Sequence, residues 1–399
     1  MFWFSVGVAL TTATQLRLAA VPLGPGEVIL VGWILGAVIG TLLRGGVELS
    51  PAARGLIAFW AAAFALLLLG AMTGIMRGLA LGSNLRDLLA FGLVATAIVL
   101  FALQDRLRDR VRRALPLIAS FILVPIVVLI VLQGRLGIAT VHVWYSIRLT
   151  GWALNPNQLA LALAPLPMVG WYLYRDAATR GARVYFLALT LLALVLGVLT
   201  LSDGLFLSWL VTGAVVAALA WYRLVRSRTS NWRKATGAVV LPILAAAVLV
   251  AVGRPVATSF ADTAASVYSE RGQGSLRLRL WRHGLEAVQQ SPLVGNGPGP
   301  HSGIRGPFDG AEAHNTAIDW AASTGLLGLA LYLGVLAWAA VRGWRQGNRE
   351  LFFALVAIFG FSLTHYVLRH PLFWIYVVAA AALPAASPYR PRVPTPGSA

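Results

Sequence analysis

The chain has 399 residues, of which 58% are hydrophobic and only 12% charged, with a mean hydropathy of +0.77. Half the charge of an ordinary soluble domain excludes a water-bathed fold and points to a bilayer. The formal net charge of +18 does not call for nucleic acid, because the basic residues stand in short clusters between apolar blocks, where they orient spans; with no cysteine, disulfides, zinc–thiolate sites and cysteine nucleophiles are excluded.

Apolar blocks of roughly 18 to 22 residues, the length that crosses a bilayer, centre near Ala9, Leu35, Phe64, Val94, Val127, Leu163, Ala193, Val215, Ala246, Leu331, Ala357 and Val378. They predict about twelve spans, or eleven if the first, interrupted by Gln15 and Arg17, is not one. The start MFWFSVGVAL lacks a basic n-region and reads as a retained span rather than a signal peptide. Arginine-rich loops at Arg106–Arg113 and Arg223–Lys234, with those of the same parity, are predicted to be cytoplasmic, as are both termini. All six histidines, His142, His283, His301, His314, His365 and His370, then fall on the outer side.

One long outer loop, residues 254–315, breaks the charge rule, as translocated loops do. It carries Arg254, Arg271, Arg277, Arg279, Arg282 and Arg305 against Asp262, Glu270, Glu286, Asp309 and Glu312, an excess of guanidinium that suits an anion. Within it a helix is predicted from Leu276 to Gln290, capped by Ser275, with Arg277 and Trp281 on one face and Arg282 paired to Glu286 at i, i+4. LRLRL reads equally well as a short strand. Pro292 ends the element, and GNGPGP gives backbone freedom for a sharp turn or close approach to a ligand. His314, at the mouth of the next span, can accept a hydroxyl proton. Asp309, Glu312 and His314 are an alternative metal set, although no Asp-x-Asp pair accompanies them. Upstream, Asn155 caps a helix with Pro156 at its first position, and Arg148 is either a lipid contact or a second anion contact.

Three stretches, RLTGWALNPNQLA (Arg148–Ala160), RLRLWRHGLEAVQQSPLVGNGPG (Arg277–Gly299) and AHNTAIDWAASTGLLGL (Ala313–Leu329), resemble the O-antigen ligase and polymerase superfamily in order and spacing. The resemblance implies an all-α, GT-C-like polytopic bundle with one long periplasmic loop containing short helices. Residues 1–253 would hold the first spans, 254–315 the catalytic loop, 316–386 the last spans and 387–399 a disordered cytoplasmic tail. It also implies an inverting transfer of a glycan from undecaprenyl diphosphate to a sugar hydroxyl of lipid A-core, without metal or cofactor, at the periplasmic face of the bacterial inner membrane. His314 would assist the acceptor, and Arg277 and Arg148 would bind diphosphate. Asn315, Trp281 and Asn157 complete the expected substrate-binding set, and the helix-face argument alone adds Arg282. Many relatives read Ser-Arg-Gly where this chain has Ser202, Asp203 and Gly204; either Arg254 or Arg369 then takes the lost contact, or Asp203 orients an arginine or the acceptor. The His-Asn stretch and the compact C-terminus look more like the ligase branch than the polymerase branch. A transporter is the reading of another class, but no half-to-half repeat supports it.

Overall fold

The computed structural model describes residues 1–18, 23–44, 49–78, 81–132, 141–226, 273–303 and 310–386. It is an all-α polytopic bundle. The helices are α1 (Phe2–Leu10), α2 (Pro25–Leu43), α3 (Pro51–Met76), α4 (Leu81–Ala102), α5 (Leu107–Leu132), α6 (Pro156–Leu163), α7 (Leu166–Asp176), α8 (Arg180–Leu199), α9 (Asp203–Arg226), α10 (Gln273–Gln290), α11 (Thr316–Arg345), α12 (Arg349–Ser362) and α13 (Pro371–Ala382). A two-residue hairpin, β1 (Trp144–Tyr145) with β2 (Arg148–Leu149), precedes α6.

The described residues include seven helices long and apolar enough to cross a membrane. The shorter ones have local causes. The block centred near Leu163 splits at Pro165 into α6 and α7, since proline offers no N–H and clashes with the preceding turn. The first block stops at Leu10 and turns through a 3₁₀ segment, Thr14–Leu16. There the Gln15 carboxamide donates to the carbonyls of His142 (2.9 Å) and Ala153 (2.7 Å) and accepts from the His142 N–H (2.7 Å). Helix α13 is buried along its whole length, as expected of a helix apolar on every side at the centre of a bundle. By contrast, α2 buries only Gly26, Glu27 and Leu30, and its exposed leucines and valines face where lipid would be. The span expected near Ala246 and the tail 387–399 lie outside the described residues.

The predicted cytoplasmic arginine loops meet at one end of the bundle, where Arg175 pairs with Glu350 and Arg112 with Asp176 (3.3 Å). The loops bearing His314 and His365 meet at the other.

Helix α11 is broken at Gly325 (φ 70°, ψ −173°). The break is filled from the loop after α10: Asn296 N–H donates to Ala322 O (2.9 Å), Gly297 N–H to Ser323 O (2.9 Å), and Leu326 N–H to Pro292 O (2.7 Å). In a bilayer such polar groups must find protein partners. Helix α10 begins at Gln273, so Ser275 lies inside it instead of capping it, and the LRLRL stretch is helical throughout. The GNGPGP glycines turn against protein: a Cβ on Gly295 would sit 2.3 Å from the Ser323 carbonyl carbon, and one on Gly297 2.5 Å from Ala71 Cα. Arg77, just past α3, secures the loop by donating to Asn296 Oδ1 (3.0 Å) and to Gln290 O. At Gly325 a methyl group would meet Leu293 O at 2.1 Å in a left-handed backbone conformation. Gly325→Ala is expected to destabilise the fold by at least about 2 kcal/mol, read as a lower Tm of the detergent-solubilised protein.

Candidate active site

The loop Ala313–Asn315 is held on every side but one. Asp319, in the first turn of α11, accepts the N–H of Ala313 (2.7 Å) on one carboxylate oxygen and the N–H of Asn315 (3.1 Å) on the other. Trp281 of α10 donates its indole N–H to Ala313 O (2.9 Å). The Asn315 side chain caps α11 by accepting from Ala317 N–H (3.1 Å) and Ile318 N–H (3.3 Å), while its amide donates to Leu363 O (3.0 Å). Between these anchors His314 adopts φ 53°, a conformation that non-glycine residues keep only where the surroundings impose it. The residue as a whole is solvent-exposed, while its imidazole lies deep enough for burial to act on it.

The segment after α12 is tied to the same helix start. Thr316 Oγ1 donates to His365 O (2.7 Å) and accepts from Val367 N–H (3.1 Å). The His365 ring stacks on Phe361 (centroids 4.5 Å apart, 19° between planes) and lies 6.3 Å from the His314 ring. Thr364 Oγ1 is 3.0 Å from its Nδ1. Gly204, at the start of α9, is what lets His365 sit there, since a Cβ would come within 3.0 Å of the imidazole and 2.5 Å of Thr364 Oγ1.

Arg148 completes the convergence from the hairpin. Its Nε donates to Thr200 O (3.0 Å) and an Nη to Asn157 Oδ1 (3.1 Å), which also accepts from Ser202 Oγ (2.8 Å). Two of its five N–H groups are thereby used in orienting the fork. These groups act on one another electrostatically. Burial lowers the Arg148 pKa, Asp203 opposes that, and Arg277 adds to it. Burial and then Arg277 lower His314. His365 falls to about 3, by burial first and then by Arg277, His314 and Arg148. It is therefore a neutral imidazole at any working pH.

The sequence-predicted residues thus separate. Arg277, Arg148 and His314 converge, with Asn157 behind Arg148 and with Trp281 and Asn315 holding the histidine loop. Arg282 lies apart: its side chain is 81% exposed and pairs with Glu286 (3.2 Å). Arg369 is bound by Asp87 (2.8 Å) and Glu312 and lies over the Tyr366 ring. Arg254, Arg271, Arg305 and Asp309 lie outside the described residues. Of the alternative metal set, Glu312 is therefore engaged with Arg369, and no group of three His, Asp or Glu side chains with metal-binding geometry occurs among the described residues.

Sequence reasoning missed Asp319 and His365. An acidic residue four positions after a helix cap was the available signal for the first; the second needed the tertiary contact with α9.

A family model described as O-antigen ligase matches residues 187–333. The match covers less than half of the chain, and over that segment the chain is similar to the O-antigen ligase family. No curated protein matches it. The matched superfamily segment runs from α8 into α11 and contains Asp203, Arg277, His314 and Asp319, whereas Arg148, Asn157 and His365 lie outside it. Inside the matched segment, Asp203 lies within electrostatic reach of Arg148, an arrangement suited to orienting that guanidinium.

In Asp319→Asn, an NH₂ would oppose one of the two backbone N–H groups that the carboxylate now accepts. A lost partner for a buried donor costs about 1–3 kcal/mol. The expected outcome is a lower Tm together with a changed imidazole NMR signal from His314.

Proposed function

We propose that the chain is an O-antigen ligase that moves a glycan from undecaprenyl diphosphate to a sugar hydroxyl of lipid A-core, at the periplasmic face of the bacterial inner membrane. The observation that carries this reading is the meeting of two guanidiniums, Arg148 and Arg277, with the imidazole of His314, whose pKa burial and then Arg277 lower.

The chemistry follows from these groups. The acceptor oxygen attacks the anomeric carbon from the face opposite the diphosphate, and its proton passes to the free imidazole nitrogen of His314. The carbon–oxygen bond to phosphorus breaks, and the leaving diphosphate keeps the electron pair and gains one negative charge. Arginines already aimed at that oxygen gain most as the charge develops, which lowers the barrier. The two guanidiniums supply charge stabilisation without a metal. Trp281, Asn315 and Asp319 position the histidine loop, and Asn157 with Asp203 orients Arg148. Exposed apolar side chains at Tyr145 (66%), Ile147 (74%) and Leu154 (61%) flank Arg148. They offer a prenyl chain a hydrocarbon path while its diphosphate meets the arginine.

With undecaprenyl diphosphate-linked glycan and lipid A-core, the purified protein is expected to transfer glycan to the core on a gel. His314→Ala is expected to lose about 10²–10⁴-fold in rate and Arg277→Ala about 10²–10³-fold, with both variants folded. Lengthening of the donor glycan instead would make the chain a polymerase, and no transfer by folded protein in active membranes would revive the transporter reading.

The pH profile offers an independent check. A base must be unprotonated, so kcat/KM falls on the acid side as pH drops through the pKa of His314 in the free enzyme. Burial and Arg277 lower that pKa, so activity should persist below the ordinary imidazole range. In Arg277→Gln the lowering charge is gone, and the acid limb of the residual activity is expected to move to higher pH; an unmoved limb would assign it to another group.

A further inference from the structure

The end of the bundle away from His314 holds a groove of about 550 Å³ between α1, α2 and the end of α4. Its floor is formed by Gly32, Gly36 and Gly40 of α2, where an added Cβ would meet nothing within 4 Å. Trp3 and Trp33 form apolar walls. The same i, i+4 row continues to Arg44, which lines the groove beside Gln104.

Two features show what the groove fits. From Gly32 to Arg44 the row rises about 18 Å, close to the hydrocarbon depth of one leaflet, about 15 Å. The guanidinium end also carries excess positive charge. Arg110 lies within electrostatic reach of both Arg44 and Arg113, with Asp105 as the opposing group, and the Arg44–Asp105 approach is a loose 3.8 Å. The Arg44 side chain remains 37% exposed. An apolar channel one leaflet deep, with Arg44 lining its polar end and Arg110 within electrostatic reach of it, matches an acyl chain joined to a phosphate.

We propose that this groove binds one anionic phospholipid, with an acyl chain along the glycine floor and the phosphate at Arg44 and Arg110. The site is separate from the transfer chemistry and does not depend on the proposed activity.

The test is native mass spectrometry of the full chain, extracted from bilayers of equal phosphatidylglycerol and phosphatidylcholine and washed in detergent. Wild type is expected to retain one phosphatidylglycerol. Gly36→Leu, which fills the floor where space is open, is expected to lose it, and Arg44→Gln to reduce occupancy about fivefold, both with unchanged Tm in phosphatidylcholine. Equal retention of the two lipids by wild type, or undiminished phosphatidylglycerol in both variants, would overturn the assignment. A wild-type dimer that Gly36→Leu converts to a monomer would overturn it in favour of a second copy packed on the glycine row.

Discussion

The arrangement of the site depends on how the break in α11 is satisfied. A helix interrupted at Gly325 leaves carbonyls at Ala322 and Ser323 without their usual donors, in a region where water is not available to replace them. The loop Pro292–Gly297 supplies those donors and takes the Leu326 N–H in return. Because α10 runs directly into that loop, the exchange also fixes α10 across the start of α11, with Gly284 close against Ile318. Arg277 and Trp281 reach the histidine loop for that reason. The polar repair of one helix thus brings α10 beside the histidine loop, where Trp281 bonds Ala313 O.

Around this anchor the charges are distributed unequally. Carboxylates neutralise the arginines that hold the bundle together: Glu350 with Arg175, Asp176 with Arg112, and Asp87 and Glu312 with Arg369. Arg148 instead bears the cost of burial, opposed by Asp203 and increased by Arg277. An anion arriving between the two arginines relieves that cost, so the resting site stores a preference for negative charge. Burial first, and then the same field, lowers the pKa of His314 and of His365.

Much of this was legible in the residues. Apolar blocks located the helices, because block length and charge breaks are set directly by the bilayer, and the Arg282–Glu286 pair followed from helical spacing alone. The i, i+4 relation of Arg277 and Trp281 put both on one face, but sequence could not show that the indole would serve a backbone carbonyl instead of a substrate. Asn315 was expected in the substrate-binding set from the resemblance, and its carboxamide bonds to α11 and Leu363. The GNGPGP stretch was readable as a place of close approach, although the partner proved to be α3 and α11. His365 and Gly204 were invisible as a pair because their contact joins elements more than a hundred and fifty positions apart.

The hydroxyl of Thr316 and the amide of Asn315 bind the backbone of Leu363, His365 and Val367, all of which are synthesised after the histidine loop they steady. A nascent chain emerging in order would therefore carry Arg148, Arg277 and His314 before it carried the segment that completes their setting. On the proposed reading, a transfer site would be complete only once the segment between α12 and α13 had docked, late in membrane assembly.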